Sequence, residues 1–171
     1  MFVAATAAVL AAAAVPSLTA GIERTRTASA ARYLAGRLAS ARSFAVSRSA
    51  NVAVLLTVDG DTSITALYAD GNGNGVRTRE IAAGIDPPIG DPVRFSDQFP
   101  HVVLFLDDPD QSQAIETSAL LSFTPLGSAS SRTIYVRGRD GSRYAVRVLG
   151  ATGRTRVLRY VSATKAWVEV F

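Results

Sequence analysis

The chain has no cysteine, one histidine, one lysine and no charged residue before Glu23. Without cysteine there is neither a disulfide framework nor a thiolate metal site. The redox compartment stays open, because an exported protein can do without disulfides. His101, the lone histidine, stands at the head of the apolar run 101–106 and reads as a partly buried strand residue rather than a general base. Gly127-Ser128-Ala129-Ser130-Ser131 does not fit a Gly-x-Ser-x-Gly elbow. No phosphate loop or dinucleotide fingerprint is present. Asp107, Asp108 and Asp110 flank Pro109 and read as an acidic turn. These absences argue against an enzyme, and nothing calls for a cofactor.

A long apolar run is missing too. Residues 1–15 are apolar apart from Thr6 but largely alanine, and they run into Pro16-Ser17-Leu18. A bilayer span needs about 20 apolar residues. A secretory signal, with Leu18-Thr19-Ala20 as its cleavage site, needs a basic region ahead of the apolar stretch, and no Lys or Arg precedes Arg24. The front therefore reads as the inside of a longer hydrophobic segment.

What is present is apolar content and divided charge. At 171 residues and 48% hydrophobic composition the chain can bury a core and is not mostly disordered. Residues 1–50 carry six Arg against Glu23, a balance of +5; residues 51–116 carry three Arg against eleven acids, −8; residues 117–171 carry eight Arg and Lys165 against two acids, +7. A basic stem, an acidic middle and a basic end suit contacts with different partners.

From Thr19 to Arg48 alanine and arginine dominate and proline is absent, which predicts a helix continuing from the apolar front, kinked at Pro16. Ala31, Leu34, Leu38, Ala41 and Ala45 form a narrow apolar stripe, with Arg32, Arg37, Arg42 and Arg48 mostly off it. At about 1.5 Å per residue such a helix is a rod of about 70 Å, longer than a head of this size needs. The period changes at Asn51. Val52–Val58 and Ser63–Tyr68 read as a hairpin around Asp59-Gly60-Asp61, and residues 84–100, with Pro87-Pro88, as an irregular surface connection. Strands are predicted over 101–106, 120–124, 132–137, 143–149, 155–161 and 167–171. One long helix followed by short strands predicts an α+β protein with an antiparallel sheet or sandwich.

Two loops carry candidate chemistry. Asp70-Gly71-Asn72-Gly73-Asn74-Gly75 matches the first half of a calcium loop, with Asp70, Asn72 and Asn74 as oxygen donors. The bidentate acid expected at the twelfth position is absent: Ile81 stands there, and Glu80 falls one short. A glycine-rich turn is the better reading. The second is Gly150-Ala151-Thr152-Gly153-Arg154-Thr155-Arg156. On a strand Arg154 and Arg156 share a face, as do Arg143 and Arg147 on the strand before. A hairpin around Gly150–Gly153 would gather the four guanidinium groups into one patch suited to phosphates, and so to DNA. Tyr144 and Tyr160 are the aromatics that interleave there, too few for a base-stacking platform.

Taken in order, these parts resemble the GspH/FimT family of type II secretion pseudopilins and minor type IV pilins. The resemblance rests on Val15-Pro16-Ser17, the stem from Ala30 to Leu34, the helix end from Leu38 to Arg48, the Asp70–Gly75 loop with Glu80, Phe123-Thr124-Pro125-Leu126-Gly127, and Gly153-Arg154-Thr155-Arg156. It implies a pilin-like fold in which residues 1–22 are the truncated transmembrane part of the helix, 23–49 the stem and 50–171 a periplasmic head. It further implies residence in the bacterial inner membrane, assembly with other pilin or pseudopilin subunits, cleavage of a leader by a prepilin peptidase and methylation of the new terminus. A GspH-like structural subunit of the pseudopilus is the first expectation. The alternative is a FimT-like minor pilin binding DNA in natural transformation, since some such members use a Gly-Arg-x-Arg motif matched by Gly153 to Arg156. The leader, the Gly-Phe-Thr-Leu-type junction and its neighbouring Glu are not in this sequence.

Overall fold

A computed structural model describes residues 2–108 and 117–170, with side chains described from Gly21 onward. Helix α1 (Phe2–Arg48) runs unbroken through Pro16. Along the stem, Thr25 and Thr27 turn their hydroxyls back to the carbonyls of Gly21 and Glu23, both at 2.9 Å. The predicted stripe is real: Ala31, Leu34, Leu38, Ala41 and Ala45 are fully buried, joined by Ala30 and Thr27. Burying each leucine contributes about 2 kcal/mol. The helix stops where Ser49 adopts φ 51° and Ala50 donates back to the Ala45 carbonyl.

Two antiparallel sheets share that stripe. The first contains β1 (Val52–Asp59), β2 (Thr62–Ala69), β3 (Val93–Arg94) and β5 (Ser118–Phe123), in the order β3-β2-β1-β5. The second contains β4 (Val103–Phe105), β6 (Arg132–Arg137), β7 (Arg143–Leu149), β8 (Arg154–Val161) and β9 (Ala166–Glu169), in the order β4-β6-β7-β8-β9. The expected hairpin closes with Asp59 opposite Thr62. Helix α1 packs on strands of both sheets, and Val54, Leu56, Leu121, Phe123, Ile134, Val136, Val146 and Val148 form one core with it. The fold is α+β.

Two expectations are corrected. His101 is not a half-buried strand residue: it is an exposed turn residue at φ 65°, and β4 starts only at Val103. Residues 84–100 are not merely a surface connection. They follow the short helix α2 (Thr78–Ala82) and contain β3 and the short helix α3 (Phe95–Gln98), whose Phe95 is fully buried against Tyr33 and Phe99. Among the described residues no helix is long and apolar enough to cross a membrane; the side chains of residues 1–20, where the sequence places the transmembrane part, lie outside the described residues. Of the acidic turn, Pro109 and Asp110 lie outside the described residues, as does Phe171.

Candidate functional site

The two loops resolve in opposite ways. In Asp70–Gly75 the oxygen atoms are consumed locally. The Asp70 carboxylate accepts from the backbone N–H groups of Gly73 and Gly75, both at 2.7 Å, from Asn72 at 3.2 Å, and from the Asn51 amide at 2.9 Å. Burial raises the carboxyl pKa, but those four hydrogen bonds together outweigh it and hold Asp70 below its ordinary range. Asn72 and Asn74 direct amide N–H donors at Glu80, at 3.4 and 3.3 Å. Buried Asp86 braces the loop from outside, accepting from Gly71 and Arg77. The structure thus brings Glu80, which the sequence places one residue out of register, against the loop. Here it is the acceptor for two side-chain amides.

The second loop is wedged rather than padded. Gly153 closes the β7–β8 turn by donating to the Leu149 carbonyl at 2.7 Å, at φ 59°. A Cβ there would collide with the Gly127 carbonyl and with Arg42. Arg42 explains the crowding: its Nε donates to the carbonyls of both Gly127 and Thr152, each at 3.0 Å. One arginine of the stem thereby ties the helix to the turns following β5 and β7. Its position beside the buried Ala41 marks it as flanking the stripe, but a contact 85 and 110 residues away left no trace in the sequence.

Register now decides the arginine patch. Arg147 stands directly opposite Arg156, and Arg154 opposite Leu149. Arg143 stands opposite Arg137. Cross-strand partners share a face, so Arg143, Arg147, Arg154 and Arg156 all lie on the side of the five-stranded sheet turned away from α1. Arg147, Arg154 and Arg156 are exposed. Arg156 pairs with Glu169 at 3.2 Å, and Arg147 donates to the Thr133 hydroxyl at 3.3 Å. Like charges directly opposite are unfavourable, and one carboxylate offsets them in part.

The aromatic reading needs revision. Tyr144 is buried on the core side. Phe105, Tyr135 and Trp167 instead join Tyr160 on the outer face, drawn from β4, β6 and β9. Trp167 meets Tyr160 at 5.2 Å and Tyr135 at 5.7 Å between ring centroids. Arg143 lies 4.0 Å over Tyr160, and Arg137 lies 4.5 Å over Phe105. Burial and the nearby Asp108 push the Tyr135 phenol above its ordinary pKa, with Arg147 opposing. These rings stand far apart in the sequence, so only the strand order gathers them. The space among Tyr135, Arg137, Arg143 and Trp167 is about 10 Å³, room for no more than a water molecule.

Comparison with known proteins completes the picture. Residues 30–153 match the family of the type II transport protein GspH. Arg154 and Arg156 fall just beyond the matched span. No curated protein matches the chain at a significant level. Among solved structures, the minor pseudopilin EpsH from the type 2 secretion system of Vibrio cholerae is similar at 13% identity and a TM-score of 0.51, over 75% of this chain and 93% of that one. The type IV minor pilin FimU of Pseudomonas aeruginosa aligns at 19% identity and a TM-score of 0.49, over 78% of this chain and 88% of that one. At such identity the likeness to EpsH is one of fold.

Proposed function

The chain belongs to the GspH family of type II transport proteins, and we propose that it is a minor pseudopilin of a type II secretion system, a structural subunit assembled through α1 with its head in the periplasm. The family and fold are those of structural subunits rather than enzymes. One observation carries the proposal. Helix α1 is buried on the head from Thr27 to Ala45, whereas Gly21, Arg24 and Thr25 are exposed and Ile22 is 50% exposed. The stem therefore leaves its own core before Thr27, and the helix that precedes it finds cover against neighbouring subunits and the inner membrane. Prepilin peptidase processing and methylation belong to the same reading.

The test is fractionation of the full chain, expressed from its native locus, in cells carrying the secretion genes. The chain is expected in the inner-membrane fraction, with its head cleaved by protease added to spheroplasts. Recovery from the cytosol would overturn the proposal.

A second reading, a FimT-like DNA-binding minor pilin, is favoured by the apposition of Arg147 and Arg156 beside Arg154 and Arg143. It requires DNA affinity that falls steeply with salt, and a salt dependence that weakens by about one ion for each of Arg154→Ala and Arg156→Ala. Unchanged binding in the double variant would remove it.

A further inference from the structure

The outer face of the five-stranded sheet is composed like the centre of a protein interface. Such centres are enriched in Tyr, Trp, Phe and Arg and depleted in Lys, Glu and Asp. Here Phe105, Tyr135, Tyr160 and Trp167 stand with Arg137, Arg143, Arg147 and Arg156; Glu169 lies among them, and Asp107 and Asp108 adjoin Tyr135 at the margin. The packing of this set also separates two kinds of partner. A nucleic-acid platform needs rings open to stacking bases. On this face guanidinium groups cover Phe105 and Tyr160, and Trp167 packs against Tyr160 and Tyr135. The rings fix cations in place, which lowers the ordering cost of pairing them with carboxylates.

The same chain displays the complementary charge elsewhere. Asp59 and Asp61 lie at the turn joining β1 and β2, and Asp91 and Asp97 flank the short β3, which pairs with the start of β2. All four are exposed. Val52, at the other end of β1, pairs with Phe123 close to the turn that Arg42 ties to Thr152. At about 3.3 Å per residue, β1 separates the two ends by about 23 Å. The acidic end is therefore well separated from the Arg147–Arg156 centre of the same head.

We propose that the arginine–aromatic face docks the acidic β1–β2 end of a second copy of this chain, joining heads head to tail. The inference rests on the reading of the chain as an assembly subunit, and it competes with the DNA reading for the same arginines. Because the two surfaces differ, the contact is heterologous and leaves one of each unsatisfied at the ends of a row, as in an open filament. Its size sets its strength. Five strands about 4.8 Å apart and about six residues long present roughly 500 Å², below the roughly 800 Å² per partner of a stable complex. Heads alone associate weakly; tethering by bundled helices supplies millimolar effective concentration and makes the contact count.

The experiment uses the full chain in detergent micelles, with association followed by sedimentation velocity against concentration and salt. The wild type is expected to show a component that weakens at high salt. The double variants Arg147→Glu/Arg156→Glu and Asp59→Lys/Asp61→Lys should each lose it at least tenfold, with circular dichroism confirming that both remain folded. An equimolar mixture of the two should restore it, because each supplies the surface the other retains reversed. Trp167→Ala should weaken the wild-type contact without removing its salt dependence. Variants that associate like the wild type, or a mixture that fails to restore association, would overturn the proposal. So would tight binding of a single-stranded oligonucleotide to the arginine face with no effect of Asp59→Lys/Asp61→Lys on self-association. None of these failures would alter membrane residence, so docking can fall while the assembly reading stands.

Discussion

The two glycine-rich loops look alike as text and do opposite work. Asp70–Gly75 is turned inward: its carboxylate and amides are spent on its own backbone, on Asn51 and on Glu80. Gly150–Arg156 is turned outward: its glycine is jammed between Gly127 and Arg42 while its arginines face solvent. A string of potential ligand oxygens indicates binding only where those oxygens are left over. In this protein the surplus polar groups sit on the second loop, where the backbone is held mainly from outside, by Arg42, Ser131 and the Leu149 carbonyl, with the Thr152 hydroxyl as the loop's own contribution.

The contrast breaks most readily at Gly153. Gly153→Ala adds a Cβ against a backbone carbonyl at a left-handed φ, and should destabilise the head by about 3 kcal/mol in urea denaturation. Asp70→Ala, which strips the first loop of its shared acceptor, should cost about 2 kcal/mol by the same measurement. The pH dependence gives that prediction a second readout. The Asp70 pKa is lower in the folded protein than in the unfolded chain, so its contribution is complete above the unfolded value and is lost as pH falls through the folded one. Thermal melts between about pH 6 and about pH 2 should show wild-type stability declining below the ordinary carboxylate range, with the difference from Asp70→Ala shrinking as it does.

Arg42→Ala should cost less, about 1.5 kcal/mol, because the two released carbonyls are partly reached by water. Protease cleavage in the 124–128 and 150–153 turns should accelerate in that variant, since the stem no longer holds them. Arg154→Ala and Arg156→Ala should be the mildest, within about 0.5 kcal/mol. The Arg156–Glu169 pair is half exposed on both sides, with side-chain exposures of 52% and 51%, and such pairs contribute little. If Arg154 proved as costly as Gly153, the second loop would be structural like the first and the contrast would collapse.

Much of the fold is written in local pattern. The stripe from Ala31 to Ala45 is legible because helical spacing alone places it on one face, and the β1–β2 hairpin because Gly60 interrupts two runs of strand-forming residues. The short β3 and α3 were hidden by the surrounding prolines, although Phe95 and Phe99 are the apolar residues that anchor them beside Tyr33. His101 misled because the apolar run after it suggested an earlier strand start than the backbone adopts. At the candidate site, the arginines were visible and their common face followed from strand alternation. Strand order was not visible, and it alone brings Phe105, Tyr135 and Trp167 to the arginines and sends Tyr144 to the core. The Arg42 contact joins residues too distant for any local pattern to relate.

The central claim is that α1, once it leaves its own head, is covered by other subunits, and a natural chain without cysteine makes that directly measurable. A cysteine placed at Ile22, where the helix is already exposed, should cross-link in intact cells to partnering pilin-like subunits when a reagent with a maleimide at one end and a photoreactive group at the other is added and illuminated. A cysteine at buried Leu38 should not. If the Ile22→Cys chain remains monomeric beside an intact secretion apparatus, the helix is not an assembly element and the account is contradicted.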